Sequence, residues 1–339
     1  MSKKIKIAVT GVGGGVGQSV IKSLDQTDYD IVGLDGELLG TGLYAVPSSF
    51  LIPYANSPEY ISRLLEICEN EKCKLLFPGL DAELKVLALH KDKFTAIGTN
   101  VVVSSPDVID ISDDKQITYD KLTSFGVSVP LTLSFEKYVS IPTQVDFPLI
   151  VKQQVGGARS KNVYLLKSKN DLENLVSKKD FVSTNYVVQQ YIDGDEYTCG
   201  TINLEGQCKG VIVMRRILRD GDTYKCFSVK NEIVETEVLK VMNAIQPFGA
   251  CNVQLRMKDG KPYIFEINAR CSGTTSSRAL SGFNEPKMIA DYLLKGIEPQ
   301  YTIKELTILR YWKELVVNNE EVSQMEDNQH LTSSMSRHL

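Results

Sequence analysis

Cys251-Asn252-Val253-Gln254-Leu255, followed by Tyr263-Ile264-Phe265-Glu266-Ile267-Asn268-Ala269-Arg270, reads as two strands facing each other across Lys258-Asp259-Gly260-Lys261. Asp-Gly between alternating apolar runs is a hairpin signal. Residues two apart on a strand share a face. Glu266 and Asn268 therefore project together, and Gln254 on the preceding strand can meet them. A carboxylate within an otherwise apolar strand is costly unless it has a partner. Three oxygen donors around one point suit Mg²⁺, which takes few protein ligands and completes its shell with phosphates and water. Arg270 offers a planar fork of donors to a phosphoryl group or acyl phosphate. A structural salt bridge is the competing reading.

Three upstream segments add polar groups of matching chemistry. Asp113-Asp114-Lys115-Gln116 opens an amphipathic helix over about Asp114–Phe125, where Lys115 can reach a phosphate. Its acids suit the positive helix end, so a solvated helix start accounts for them equally well. Phe147-Pro148-Leu149-Ile150-Val151-Lys152 closes a buried strand on a lysine, with Gly156-Gly157-Ala158-Arg159-Ser160 beside it. Such a loop can turn backbone N–H groups towards phosphate oxygens; a plain hairpin turn is the alternative. Val187-Val188-Gln189-Gln190-Tyr191-Ile192-Asp193-Gly194-Asp195-Glu196 runs an apolar strand into a short linker and an acid. That arrangement can offer backbone groups to an adenine edge and a carboxylate to ribose hydroxyls, or can be an ordinary polar hairpin.

Residues 1–110 alternate strand runs (Ile5–Thr10, Asp30–Leu34, Phe50–Ile52, Leu75–Phe77, Val101–Ser104) with helical patterns such as Ser57–Glu69 and Asp81–Phe94. This alternation predicts a parallel α/β sheet. Beyond Ser112 the pattern becomes β-rich, with helices near Asn170–Lys178, Glu232–Ile245 and Lys287–Lys295. The stretch after about Val316, with Asn318-Asn319-Glu320-Glu321, is acidic and polar and is read as a mobile tail.

Gly11-Val12-Gly13-Gly14-Gly15-Val16-Gly17 follows the first strand, and Asp35 ends the second. Together they match a dinucleotide fingerprint in several registers. An NAD(P)-dependent oxidoreductase is thus a rival reading, although no Tyr-x-x-x-Lys pair accompanies it. The same glycines, Gly13 and Gly14 above all, can cradle a substrate anion at a helix start, or simply form a tight turn. Pro78-Gly79-Leu80-Asp81-Ala82-Glu83 lies past another buried strand, where open α/β sheets place ligands. Asp81 and Glu83 can grip an ammonium group there, or cap a helix. In Met214-Arg215-Arg216-Ile217-Leu218-Arg219, Arg215 is a candidate for a substrate carboxylate. Arg215 and Arg216 point to opposite strand faces.

The 339 residues, 42% hydrophobic and 24% charged, leave room for two or three domains. A net charge of −4 without a long basic run does not suggest a nucleic-acid partner, and no apolar run is long enough to span a membrane. Seven scattered cysteines suggest reduced thiols and a cytoplasmic protein. Of three histidines, two lie in the polar tail, which leaves His90 as the candidate for catalysis and makes a histidine metal cluster implausible.

Taken in order, these segments resemble the ATP-grasp superfamily, and most closely its carbamoyl-phosphate-synthase large-chain-like branch, over roughly residues 1–300. The phrase Asn252-Val253-Gln254…Glu266-Ile267-Asn268-Ala269-Arg270-Cys271-Ser272-Gly273-Thr274-Thr275-Ser276 carries most of the resemblance. It implies a mixed α/β and α+β chain: a Rossmann-like pre-ATP-grasp domain at 1–111, then a two-lobed ATP-grasp domain. The lobes would be a lid at 112–186 and a central catalytic part at 187–315, with the polar tail at 316–339. It also implies ATP with Mg²⁺, or Mn²⁺ in its place. Lys115 and Lys152 would contact phosphates beside Gly156, Gly157 and Ser160. Gln189, Gln190 and Ile192 would line the adenine hinge and Glu196 would hold the ribose. Gln254, Glu266 and Asn268 would bind the metal, and Arg270 would face the acyl phosphate, with Lys152 as its catalytic companion.

Two departures stand out: Gln153 follows Lys152 where proline is common, and Gly157-Ala158-Arg159-Ser160-Lys161 is bulkier and more basic than usual. The implied activity is an ADP-forming ligase that activates a carboxylate for an amine, on an amino-acid or amino-sugar-like substrate. A homodimer is compatible with it. A non-catalytic ATP-binding regulatory module is the remaining alternative.

Overall fold

The computed structural model describes residues 4–141, 145–157, 162–333 and 338–339. Three sheets organise the chain. The first is built from β1 (Ile5–Thr10), β2 (Tyr29–Asp35), β3 (Ser48–Leu51), β4 (Leu75–Phe77) and β5 (Asn100–Val101), all parallel to their neighbours in the order β3-β2-β1-β4-β5. β1 is flanked by β2 and β4, so the strand order reverses there. The crevice beyond the strand ends at such a reversal is where open α/β sheets bind ligands. The loops after β1 and β4 both open into it.

A four-stranded antiparallel sheet follows, from β6 (Thr132–Ser134), β7 (Leu149–Gln153), β8 (Val163–Leu166) and β9 (Tyr186–Gln190). The third sheet contains β10 (Asp195–Leu204), β11 (Gln207–Arg219), β12 (Asp222–Ser228), β13 (Gly249–Lys258), β14 (Lys261–Asn268) and β15 (Thr307–Leu309), in the order β14-β13-β10-β11-β12-β15. The β13–β14 turn places Asp259 at φ 51° and Gly260 at φ 74°, the two positive angles that a two-residue hairpin needs. One face of the third sheet packs Val211, Val213, Val253, Leu255 and Ile267 with helix Glu232–Ile245. Residues of opposite parity, such as Ile202, Ile212 and Met214, share a core with Ile7 and Val9 of the first sheet and Val20 of helix Gly15–Leu24.

Several expectations shift. The helical run Asp81–Phe94 is two helices, Asp81–Leu89 and Lys91–Ala96, broken at His90. The C-terminal stretch read as a mobile tail is structured in its described part. Asn319–Asn328 is a helix, and β16 (His330–Thr332) pairs antiparallel with β3 at the edge of the first sheet. Its polar composition hides two anchors, Met325 and Leu331, that are essentially fully buried. The strand also covers an otherwise open sheet edge, a common hazard for exposed backbone groups. Among the described residues, no helix is long and apolar enough to cross a membrane.

Candidate active site

Between the second and third sheets lies a cavity of about 240 Å³. The second sheet and its loops bring Lys115, Lys152, Gly156, Gly157, Gln189, Gln190 and Ile192 to it; the third brings Glu196, Gln254 and Glu266. Most of the expected nucleotide and metal residues, from five separate chain segments, therefore line one space. Ser160 lies outside the described residues.

Lys152 shows why these residue types sit here. It ends the apolar run of β7, is 7% exposed, and its Nζ donates to the Phe265 carbonyl at 3.1 Å. Burial pushes its amine down to about 8; Glu266 nearby works to keep it charged, and Lys115 works against it. A lysine so placed lacks a full complement of acceptors, which phosphate oxygens would supply. Lys115, the first residue of helix Lys115–Ser124, directs its Nζ to the carbonyls of Asp113, at 3.0 Å, and Gly156. The helix is capped by Asp114, which accepts from the N–H groups of Gln116 and Ile117. The Gly156 N–H donates to Asp113 at 2.9 Å, so the glycine loop and this helix start are tied together.

On the hairpin, Gln254 stands opposite Glu266, and Asn252 opposite Asn268. The register then slips, leaving Phe265 as an extra residue on β14. Such a bulge re-aims side chains; here Phe265 and Glu266 both line the cavity. Glu266 Oε1 accepts from Asn268 Nδ2 at 2.9 Å and Gln254 Nε2 at 3.3 Å. Asn268 Oδ1 in turn accepts from Arg270 Nη2 at 3.2 Å. Among the described residues no group of three or more His, Cys, Asp and Glu could hold a metal ion. The amide nitrogens of Asn268 and Gln254 face Glu266, and their oxygens accept from Arg270 and Arg216, so the carboxylate is the group here that fits a hard divalent cation drawing most of its ligands from phosphates and water.

Glu196 is held by two arginines. Arg216 donates to its Oε1 through Nε at 3.0 Å and Nη2 at 2.6 Å, and Arg256 to its Oε2 at 2.8 Å. Arg216 also reaches Gln254 Oε1 at 2.6 Å, and Arg256 reaches the Ile192 carbonyl at 3.2 Å. Both arginines line the cavity and neither was singled out from the sequence. Strand parity alone does not single out Arg216, since it shares a face with buried Met214 and Ile212 while Arg215 shares one with buried Val213 and Val211. Arg215, the residue chosen instead, lies over the Phe227 ring, 4.0 Å from Asp195, and is absent from the cavity lining. Gln189 is buried, donating to Thr132 Oγ1 at 2.8 Å, whereas the Gln190 side chain is exposed.

The N-terminal candidates change roles. The Gly13 N–H donates to Asp35 Oδ2 at 2.6 Å, and the Gly14 N–H to the Gly11 carbonyl at 3.0 Å. Both are used inside the loop, so neither is offered to a substrate. Asp35 also accepts from the Glu37 N–H at 2.9 Å, so each of its oxygens takes a backbone donor of the N-terminal part. Gly17 is required by packing: a Cβ there would come within 2.3 Å of the Gly11 carbonyl oxygen.

Glu83 does not face a substrate. It is 1% exposed and accepts from Thr10 Oγ1 at 2.6 Å, the N–H groups of Gly79 and Leu80 at 2.7 and 2.8 Å, and the Tyr60 hydroxyl. Burial raises its carboxyl above the usual range, against the pull of these hydrogen bonds. Leu80 rather than Asp81 occupies the cap position of helix Asp81–Leu89. Asp81 instead pairs with Arg270 across the two halves of the chain, through Nε–Oδ1 at 2.7 Å and Nη2–Oδ2 at 2.6 Å. Burial works against the Arg270 charge, but Asp81 outweighs it and raises the guanidinium further. His90 contacts the Val86 carbonyl at 2.9 Å and is not part of the cavity lining.

Residues 183–314 match a family described as "ATP-grasp in the biosynthetic pathway with Ter operon". That part of the chain is an ATP-grasp domain. Residues 7–102 match the PylC-like N-terminal domain, ahead of the ATP-grasp part. The chain is 27% identical over 241 residues to D-alanine–D-alanine ligase A of Bacillus cereus, covering 63% of this chain and 79% of that one. It is 26% identical over 239 residues to the carbamoyl phosphate synthase large chain of Thermoanaerobacter pseudethanolicus. That match covers 64% of this chain but only 21% of the synthase chain. The fold is similar to N5-carboxyaminoimidazole synthetase from Staphylococcus aureus, solved with ADP, at a TM-score of 0.70 and 17% identity, covering 96% of this chain and 86% of that one. These similarities favour the ATP-grasp reading over the dinucleotide one.

Proposed function

We propose that this ATP-grasp enzyme is an ADP-forming carboxylate–amine ligase. A carboxylate oxygen attacks the γ-phosphorus of ATP, the bond to the β-phosphate oxygen breaks, and ADP and an acyl phosphate result. An amine then attacks the acyl carbon, inorganic phosphate leaves, and the amine's proton passes to solvent. The observation that carries this reading is the convergence of Lys152, Lys115 and Glu266 on one cavity that the Gln189–Ile192 segment also lines.

Each residue has a role that its setting supports. The backbone of 190–192 borders the adenine, and Glu196, held in place by Arg216 and Arg256, faces the ribose. Lys115, Lys152 and the N–H group of Gly157 hold phosphates. Glu266, with Gln254 and Asn268 beside it, would hold Mg²⁺, which would supply charge neutralisation for the phosphates. Arg270 orients the anion that accepts the phosphoryl group. Catalysis of this kind rests on positioning and on charge placed where it develops, so no covalent enzyme intermediate is required.

The acid to be activated is proposed to be an amino-acid or amino-sugar-like carboxylate. Support comes from Asp81 at the mouth of the parallel sheet and from the D-alanine–D-alanine ligase relative, whose name places it on amino acids. Two measurements test the reading. Mg-ATP at 100-fold saturation adds about 2.7 kcal/mol to the folded state and raises the melting temperature accordingly. A screen of carboxylates and amines by ADP release then identifies the pair. An unchanged melting curve together with no heat on titration of Mg-ATP sinks the proposal.

A further inference from the structure

The Asp81–Arg270 pair poses a problem for the role just given to Arg270. The guanidinium edge formed by Nε and Nη2 is the one that grips a carboxylate or phosphoryl group through two parallel bonds. Asp81 occupies that edge, at 2.7 and 2.6 Å. Nη2 also reaches Asn268 Oδ1, and Nη1 donates to the Cys271 carbonyl at 2.8 Å. Arg270 as it stands has no such edge for a substrate.

The pair is asymmetric. The Arg270 side chain is 10% exposed and that of Asp81 46% exposed. Asp81 can leave for water at small cost, since an exposed carboxylate recovers its hydration. Arg270 would be left buried and uncompensated unless another anion replaced Asp81. Asp81 cannot go far, because Glu83 clamps the N–H groups of Gly79 and Leu80 immediately before it. A plain anion arriving on Arg270 would therefore leave two negative groups around one guanidinium. A molecule that brings its own ammonium beside its carboxylate avoids this. Both residues lie at the crevice where the parallel sheet reverses, the place such sheets bind ligands. A hydrogen-bonded chain from Arg270 through Asn268 to Glu266 links that crevice to the cavity.

We propose that Asp81 is a resident counter-ion of Arg270 that a zwitterionic substrate displaces, the substrate carboxylate taking the guanidinium edge and its ammonium taking the freed Asp81. This rests on the ligase reading and narrows its substrate class to an α-amino acid, whose two charged groups are close enough to satisfy both residues.

Calorimetric titration of the full chain with MgADP present tests the exchange. The probes are inorganic phosphate, as a plain anion, and a panel of L- and D-amino acids. Asp81→Asn removes the competitor, so phosphate binds about tenfold more tightly if the pair is closed about nine-tenths of the time. The amino acid that wild type binds best binds the same variant about tenfold more weakly. This crossing of signs separates exchange from a purely structural bracket, which would weaken both. The phosphate gain disappears when Arg270→Gln is added. Phosphate affinity that is unchanged or weaker in Asp81→Asn overturns the proposal, as does amino-acid affinity that is unaffected or undetectable in wild type. Asp81→Ala repeats the comparison should Asp81→Asn fail to fold by circular dichroism. Absence of MgADP heat in wild type counts against the ligase reading alone, because phosphate titrations without nucleotide still decide the exchange.

Discussion

The glycine loop after β1 and the β13–β14 hairpin both carry motifs that point to a nucleotide, and they differ in where their polar groups go. In the loop, Gly13 and Gly14 donate to Asp35 and to the Gly11 carbonyl, and Asp35 takes a second N–H from Glu37. The motif is closed on itself. On the hairpin, Glu266 Oε1 gathers two amide donors at the wall of a cavity that also holds a buried lysine. A motif whose donors and acceptors satisfy one another builds a turn. One whose charged groups converge on open space builds a site, because buried charge is tolerated only where a partner can come.

The largest expected effect lies on the hairpin. Glu266→Gln keeps the shape and removes a charge, so ADP release should fall roughly 100-fold, about 3 kcal/mol, with the fold intact and Mg-ATP still bound. Wild-type turnover in folded Glu266→Gln protein would break the comparison on the side argued to be the site.

Lys152 offers a pH test of the same region. Its amine, pushed down to about 8 by burial, is charged below that pH and neutral above it. Nucleotide affinity should therefore fall as pH rises through about 8, and the fall should be missing in Lys152→Gln. Calorimetric titrations of Mg-ATP across that range measure it, and a flat wild-type profile counts against a phosphate role.

On the other side of the comparison, Asp35→Ala should cost about 1–3 kcal/mol of stability, because the N–H groups of Gly13 and Glu37 lose a charged, buried acceptor. Mg-ATP affinity should be spared. A variant with native stability but impaired nucleotide binding would reverse the assignment of the two regions.

The smallest effects are two null results. NAD(H) and NADP(H) should not bind at micromolar levels, and fluorescence titration showing that they do would reopen the oxidoreductase reading. Arg215→Ala should leave Mg-ATP affinity within about twofold, as a half-buried residue outside the cavity. Arg216→Ala should weaken it clearly by releasing Glu196.

The legible part of this chain was the part written in local pattern. β1, β4 and helix Glu232–Ile245 stand where apolar periodicity and punctuation put them, and the Asp259-Gly260 turn joins the strands it was expected to join. Glu266, Asn268 and Gln254 could be grouped because a strand's two-residue period and a hairpin's pairing are short-range geometry. The same period shows that Arg215 and Arg216 face apart and not which of them lines the cavity, and the fold brings Arg216 to it.

Tertiary structure decided what depends on partners far along the chain. Glu83 reads as a first-turn acid until Thr10 and Tyr60 are seen to enclose it. Arg270 reads as a free donor until Asp81, 189 residues away, is found on it. The polar C-terminal stretch reads as a tail until Met325 and Leu331 meet the first sheet, since two anchors in a charged segment carry no periodic signal. By itself, the sequence determined which elements form and which chemistry each carries, because both follow from neighbouring residues. Which polar groups remain open to a ligand was decided only by the folded chain, because a hydrogen-bond partner can come from any distance in sequence.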